Sequence, residues 1–380
     1  MNPFGMMSFV LLAKYGRDTW SLAWWHEKAV YPVRAFPAIT GGRDAGRGRT
    51  RRSATLNFAA AGATRRDGGE LMKLGTVSVD GAQRVAVAVD NHGERAVLLY
   101  AGLTVADLIE DWAAAGPSVE RAVTDGARKA VPVGELSWLP PVPRPGKVIC
   151  VALNNSANVD RIMSGPDKPA TFNKPSTSLL GHGRPIRLKK SFGRVHPEPE
   201  LAVVIGAGGA DIPLSAAMDH VFGYTIMNDL TSPTMRAQDT FHYRAIHPKQ
   251  DGPEGIEYVD TWVTYSGRYK GSDGFGPIGP WITTADEIPD PHALTVTCVH
   301  QGRVVTEDST RNLTHKVADV VSYMSGYQTL EPGDIIAMGT ALKGGTRGGA
   351  VQNVNLTELG GPIEVTISGI GTLSNPVEMR

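Results

Sequence analysis

From Met72 onward, apolar and polar positions alternate in short runs bounded by turn residues. Three β-like runs, KLGTVSV, RVAVAVD and RAVLLYA, are separated by Asp80-Gly81 and Asn91-His92-Gly93, and predict a small sheet. Thr104 stands where an N-cap would precede ADLIEDWAAAG, with Gly116 as its stop. Ser118 does the same for VERAVTDGARKA, so two short helices are expected. LPPVPRPGK at 139–147 holds four prolines in nine residues, which rules out a helix or a central strand and marks a domain boundary. Beyond it the strand-like runs have long connections: KVICVAL (147–153), ELAVVIG (200–206), HVFGYTIMND (220–229), ALTVTCVH (293–300), DIIAMGT (334–340) and PIEVTISGIGTL (362–373). One helix near 314–327 is signalled by Thr314 and by Val317, Val320, Val321 and Met324 on a single stripe. Strands outnumber helices and do not alternate strictly with them, which disfavours a doubly wound parallel sheet and predicts an α+β, mostly β chain. The expected organisation is a leader of doubtful order (1–71), a small N-terminal α+β domain (72–142) and a main domain (143–380).

Charge changes the picture at the front of the chain only. Lys+Arg and Asp+Glu both number 38, so the 380 residues carry no basic excess to attract nucleic acid or an anionic membrane. Residues 1–71, however, hold eleven basic side chains against five acidic ones, leaving 27 against 33 for the rest. The leader shows no sustained period of 2 or 3.6, and its one apolar stretch, FVLLA, is too short for a secretory signal. Met72 opens a strand-like segment as a natural beginning would, so residues 1–71 read as an over-extended start. An Arg-rich transit segment is the alternative, against which serine is sparse. The two cysteines, Cys150 and Cys298, each sit in an apolar β-like run and read as buried, reduced thiols of a cytoplasmic protein. No apolar stretch approaches the length of a membrane span.

Candidate chemistry concentrates at His196-Pro197-Glu198-Pro199-Glu200. In extended chain, residues i and i+2 point to one side, so Glu198 and Glu200 present two carboxylates together at the mouth of an apolar strand. Like charges that close call for a cation, and a hard divalent ion (Mg2+ or Mn2+, with Ca2+ a further option) prefers oxygen ligands. A solvated, proline-stiffened strand mouth gives the same spelling, and for an isolated E-x-E that reading is the commoner one. Asp229, ending HVFGYTIMN, adds a third carboxylate; three such donors would leave open positions for water and substrate. An Asx-turn at a strand end is the plain alternative.

Six ordered motifs then carry a resemblance: F-N-K-P (172–175), H-P-E-P-E-L-A-V-V-I-G (196–206), G-Y-T-I-M-N-D (223–229), K-G-S-D-G-F-G-P-I-G-P-W (270–281), L-E-P-G-D-I-I-A-M-G-T (330–340) and G-I-G-T-L-S-N (369–375). Over about residues 145–377 the chain resembles the fumarylacetoacetate hydrolase family. The resemblance implies a mixed β-roll catalytic domain, usually homodimeric, with Mg2+ or Mn2+ held by Glu198, Glu200 and Asp229. It implies that Lys270 helps hold the substrate's oxygens and that Thr340 lies near the bound acid, with Lys174 and Gly339 also expected at the substrate. Many members carry G-x-N-Y-x-x-H-x-x-E after the first strand of this domain, whose His and Glu activate water. Here Asn158 falls where the His is expected and Arg161 where the Glu is. Asn cannot accept a proton at neutral pH, and a positioned general base is worth roughly 10²–10⁴-fold. Asp160 or His182 could stand in for it. After Asp229 the loop is longer than the family's; Arg236 and Gln238 there are candidates for a substrate carboxylate or for covering a dimer edge, and Arg161 for a second carboxylate.

The expected activity is metal-dependent hydrolysis of a carbon–carbon bond in a small 2-oxo or 1,3-dicarbonyl acid, in aromatic or sugar-acid catabolism. A lyase or isomerase of 2-oxo acids is the close alternative because of Asn158, and a non-catalytic metal-binding relative is a third. Two glycine runs are set aside. GFGPIG (274–279) is flanked by prolines where a dinucleotide site needs a helix, and GGTRGG (344–349) lacks the Lys-Ser/Thr of a phosphate loop and reads as a flap near Thr340.

Overall fold

The structure, a computed structural model, describes residues 12–14, 20–22, 72–162, 167–249, 255–342 and 351–380. The chain divides into two compact units, Met1–Ala61 and Gly62–Arg380. In the first, the described residues form a hairpin of Leu12–Lys14 against Trp20–Leu22. The remaining expectations for residues 1–71, and the flap expected at 344–349, lie outside the described residues.

The second unit is built on an eleven-stranded mixed sheet. One side runs Ile282–Thr284, Val221–Asn228, Pro199–Ile205, Ile335–Ala337, Val148–Ala152 and, at the edge, Ala170–Lys174, with only Ile335–Ala337 and Val148–Ala152 parallel. Strands Lys73–Val79, Ala82–Ala88 and Arg95–Leu98 continue the same sheet, because Lys73–Val79 pairs with Ile282–Thr284. Pro199–Ile205 is buried along its whole length, since both faces of the sheet are covered, and after Glu200 its sequence is correspondingly an unbroken apolar run. Leu201, Val203 and Ile205 face a core shared with a second, four-stranded sheet (Arg303–Ser309, Thr295–His300, Ile363–Ile367, Gly371–Asn375). Ala202 and Val204 face a second core with Leu74, Val85, Val87 and the helix residues Val105, Leu108 and Ile109.

Three local expectations are corrected. Helix Val105–Glu110 starts on the Thr104 cap, closed by Asp107 in a capping box, but it breaks at Asp111. The next helix, Trp112–Gly126, runs through Gly116 and Pro117, with the Trp112 indole lying against Gly116 and edge-on to Phe222. The later helix is Val317–Ser325, its first turn closed by Asp319 accepting from the Lys316 N–H rather than by Thr314. PIEVTISGIGTL folds as two strands around a turn at 368–370. GFGPIG leads into the strand Ile282–Thr284, as a non-nucleotide stretch would. Both cysteines are buried free thiols.

Candidate metal centre and active-site cavity

The carboxylates converge through strand register. Pro199–Ile205 and Val221–Asn228 pair antiparallel with Pro199 opposite Asn228. One step further the Asp229 N–H donates to the Glu198 carbonyl (2.9 Å), and then His196 and Thr231 exchange backbone hydrogen bonds (3.0 and 3.1 Å). Residues opposite each other in a ladder share a face with those two positions away. Hence His196, Glu198, Glu200, Asp229 and Thr231 project to one side, and an oxygen from each of the three carboxylates lies within 4.8 Å of the others. Glu200 and Asp229 are buried. The Asn228 amide oxygen accepts from the Glu198 N–H (2.9 Å) and fixes the strand mouth.

Two lysines meet this charge. Lys270 Nζ lies 2.6 Å from Glu198 Oε2 and 2.5 Å from Asp229 Oδ2, over the face of Phe172 at 5.3 Å. Lys174 Nζ lies 2.6 Å from Asp229 Oδ1 on the far side and also donates to the Lys270 carbonyl. The Thr340 hydroxyl stands 3.0 Å from Glu198 Oε2 and 3.2 Å from Glu200 Oε1, and the Thr231 hydroxyl donates to Glu198 Oε1 (2.7 Å). The Gly339 N–H donates to Glu200 Oε2 (2.9 Å); its φ of +101° and the Asn154 Cβ that would lie 2.8 Å from an added Cβ both require glycine.

These contacts set the protonation states. Burial would raise the Glu198 carboxyl, but the Lys270 ammonium above all outweighs it, with the Thr231 hydroxyl donating as well, and the carboxyl lies at about 2. Burial and the neighbouring Asp229 charge push Glu200 well above the ordinary carboxylate range. Burial works against the Lys270 ammonium, yet the three carboxylates raise it and keep it charged. Burial lowers His196, whose Nε2 is 3.9 Å from Glu198 Oε1, and leaves a neutral ring. Two carboxylates bridged by an ammonium, beside a third that resists ionising, form a donor set short of positive charge. A divalent cation fits it.

The group opens on a cavity of about 310 Å³ lined by Asn158, Phe172, His196, Arg236, Tyr269, Lys270 and Thr340, with Val151, Leu153 and Leu342 as apolar wall. Asn158 is buried in the short helical turn Ser156–Arg161, so the residue standing where the family's water-activating His is expected does reach the cavity. The side chains of Asp160 and Arg161 lie outside the described part of that turn. Several expectations are corrected. Lys174 lies behind Asp229, away from the cavity wall, because its strand Ala170–Lys174 turns Phe172 and Lys174 to the same side at different depths. Gln238 accepts from Arg268 (3.0 Å) and does not line the cavity, and Gly339 acts on Glu200 through its N–H. His182 is no substitute base: its Nδ1 accepts from the Ser374 N–H (3.1 Å) and its ring packs against Trp138.

Tyr269, Phe172 and a cavity-facing His196 were not legible as site residues; His196 reads as packing until the register with Thr231 is known. A buried Asp308 was likewise missed. It accepts from Asn155 Nδ2 and from the Leu342 N–H (both 2.9 Å), tying the segment before Asn158 to the one after Thr340. Burial pushes the Cys150 thiol up, so it is no nucleophile.

A family profile described as "Fumarylacetoacetate (FAA) hydrolase C-terminal" matches residues 147–378. The Mycobacterium tuberculosis protein Rv2993c is 34% identical over 248 residues, covering 65% of this chain and 80% of that protein. A mitochondrial oxaloacetate tautomerase of Xenopus laevis is 30% identical over 258 residues, covering 68% of this chain and 73% of its own length. The crystal structure of maleylpyruvate hydrolase from Sphingobium sp. SYK-6 superposes with a TM-score of 0.59 at 27% identity, covering 81% of this chain and 100% of that one. No helix among the described residues is long and apolar enough to cross a membrane.

Proposed function

The chain belongs to the fumarylacetoacetate hydrolase family, and from that premise we propose that it is a divalent-metal enzyme that enolises a small 2-oxo dicarboxylic acid, with isomerisation or tautomerisation as the outcome. Glu198, Glu200 and Asp229 would hold Mg2+ or Mn2+, which supplies Lewis-acid polarisation of a 2-oxo carbonyl. The Lys270 ammonium, already fixed between two carboxylates, stabilises negative charge developing on an enolate oxygen. Thr340 and Thr231 orient the carboxylates from either side, and the neutral His196 ring is placed to carry the proton from the carbon next to the carbonyl. Arg236, which also lines the cavity, suits a distal carboxylate. Charge supports the same class: three carboxylates, two lysines, a divalent cation and Arg236 leave a surplus of two positive charges, which a dianion would balance.

The observation that carries this reading is Asn158. A buried side chain that cannot take a proton occupies the wall where attack by water would need a base, while the side that stabilises an enolate is complete. Hydrolytic carbon–carbon cleavage is the second reading, favoured by the fold shared with maleylpyruvate hydrolase. The test is to follow keto–enol interconversion of oxaloacetate and cleavage of acylpyruvates with Mg2+ or Mn2+ present and after chelation. Metal-dependent interconversion with intact acylpyruvates is the expected result. Acylpyruvate cleavage into two acids at a comparable rate would establish the second reading instead, and turnover unaffected by chelation would overturn both.

A further inference from the structure

The chain leaves strand Val148–Ala152 for the cavity wall by a sharp turn. Leu153, which lines the cavity, sits at φ +56°, a left-handed conformation that a leucine holds only where its neighbours impose it. Asn154 and Asn155 do so. Asn154 Nδ2 donates to the His315 and Met338 carbonyls (3.0 and 2.8 Å), and its Oδ1 accepts from the His315 N–H (2.7 Å). Asn155 begins the turn that carries Asn158. Its side-chain oxygen accepts from the Ala157 N–H (3.0 Å) and its carbonyl from the Asn158 N–H (2.8 Å). The nitrogen of the same amide donates to Asp308 Oδ2 (2.9 Å) and to the Thr340 carbonyl (3.2 Å).

Asp308 belongs to the second sheet, on strand Arg303–Ser309; it is buried and is not among the residues that line the cavity. Its two oxygens face different ways. Oδ1 accepts from the Ser309 N–H (2.7 Å) and from Asn312 Nδ2 (2.6 Å), in the turn that follows it. Oδ2 accepts from Asn155 Nδ2 and from the Leu342 N–H (2.9 Å each), one from each of two segments that line the cavity.

We propose that Asp308 is a positioning residue of the active-site cavity, whose Oδ2 fixes the Leu153–Asn158 wall against the Thr340–Leu342 wall and so sets Asn158 relative to Thr340. The inference rests on this cavity being the active site, and on neither reaction considered for it. The position matters because the Thr340 hydroxyl, two residues before Leu342, touches Glu198 and Glu200 (3.0 and 3.2 Å). Misplacement of such a group by about 1 Å can cost on the order of 10²-fold in rate. The carboxylate is also hard to replace. An asparagine amide presents one oxygen, so it can serve the local pair of donors or the cavity pair, and it turns an NH2 toward the other.

Hydrogen exchange at residue resolution tests the coupling without any reaction. In Asp308→Asn the Ala157 and Asn158 amides, which bond to Asn155 and not to Asp308, should exchange at least tenfold faster. In Asn155→Ala the Leu342 amide, whose own acceptor is retained, should do the same, and amides of 201–205 should be unaltered in both. Changes confined to the donors whose partner was removed would overturn the proposal. Asn155→Ala alone decides this if Asp308→Asn does not fold. Turnover is the second readout, on whichever of oxaloacetate or an acylpyruvate the wild type uses. Each single variant should lose at least tenfold in kcat, the double variant no more than the worse single, and Mn2+ affinity should stay within twofold. Losses that multiply in the double variant, unchanged kcat in both singles, or Mn2+ affinity falling in step with kcat would overturn the positioning role. A wild type inactive on both acids would overturn the reaction proposed above, and the exchange pattern would then decide this inference by itself.

Discussion

At the scale of single residues, the site turns on which groups carry positive charge and which can take a proton. Lys270 occupies, with its ammonium, the space between Glu198 and Asp229 that a cation would share. Replacing it with an uncharged chain of similar length removes that competition. Lys270→Met should therefore bind Mn2+ at least tenfold more tightly, since charges a few ångströms apart interact by several kcal/mol even at an effective dielectric constant of about 20. The same change should depress turnover, because the enolate loses its cationic partner. Calorimetric titration with Mn2+ checks the first effect, and weaker binding would show that Lys270 supports the cation rather than competing with it. Asn158 gives the converse test. Asn158→His restores a group able to deprotonate water on the cavity wall, and should raise acylpyruvate cleavage by up to about 10²-fold while changing enolisation little. An unchanged cleavage rate, measured as released acid, would mean that water is not delivered from that side.

At the scale of elements, the strand pair Pro199–Ile205 and Val221–Asn228 builds the carboxylate cluster, and its neighbour across Gly223 holds it in place. A Cβ at Gly223 would meet the Thr283 carbonyl oxygen inside van der Waals contact and Ile282 Cγ2 at 2.9 Å, and neither backbone can move without parting the ladder. Gly223→Ala should cost about 1–3 kcal/mol, seen as a drop of several °C in Tm, and should weaken Mn2+ binding because Asp229 terminates the same strand. A loss of stability with unaltered metal affinity would show that the cluster is braced from elsewhere. Much of this pair was legible in the chain: the unbroken apolar run 201–205 required burial on both faces, and the i, i+2 spacing placed Glu198 and Glu200 on one side. The register was not legible. It aligns Asp229 with Glu198 and Thr231 with His196, and it depends on pairing between segments whose cross-strand partners no local pattern specifies. The break at Asp111 and the run of helix through Pro117 were hidden for a similar reason, since contact between Trp112 and Phe222 overrides local stop signals. The strand pair Thr240–Pro248 and Ile256–Thr264 was not legible because its alternation mixes large apolar and polar side chains on both faces, so neither face is marked as the solvent side.

At the scale of the whole molecule, the cluster links global stability to pH and to metal. Glu200 is held protonated in the metal-free fold by burial and by the Asp229 charge, so its folded pKa lies above its unfolded value of about 4.5. The native state then binds more protons than the unfolded chain, and unfolding free energy falls as pH rises from about 4.5 through the raised pKa. Glu198 works the other way, but its depressed value of about 2 confines its effect to pH below about 4.5, outside that window. A divalent cation takes the place of the Glu200 proton, so the decline should vanish at saturating Mn2+. Groups remote from the site titrate alike with and without metal and cancel in the difference. The increment in Tm produced by Mn2+ should therefore widen as pH rises from about 4.5 through the raised pKa, reaching the equivalent of about 2.7 kcal/mol where free metal is 100 times Kd. Scanning calorimetry of chelator-treated and Mn2+-saturated protein at each pH measures it. A metal increment that stays constant with pH would mean that Glu200 ionises freely in the metal-free fold, and one that is absent at every pH would mean that the three carboxylates do not hold the ion together.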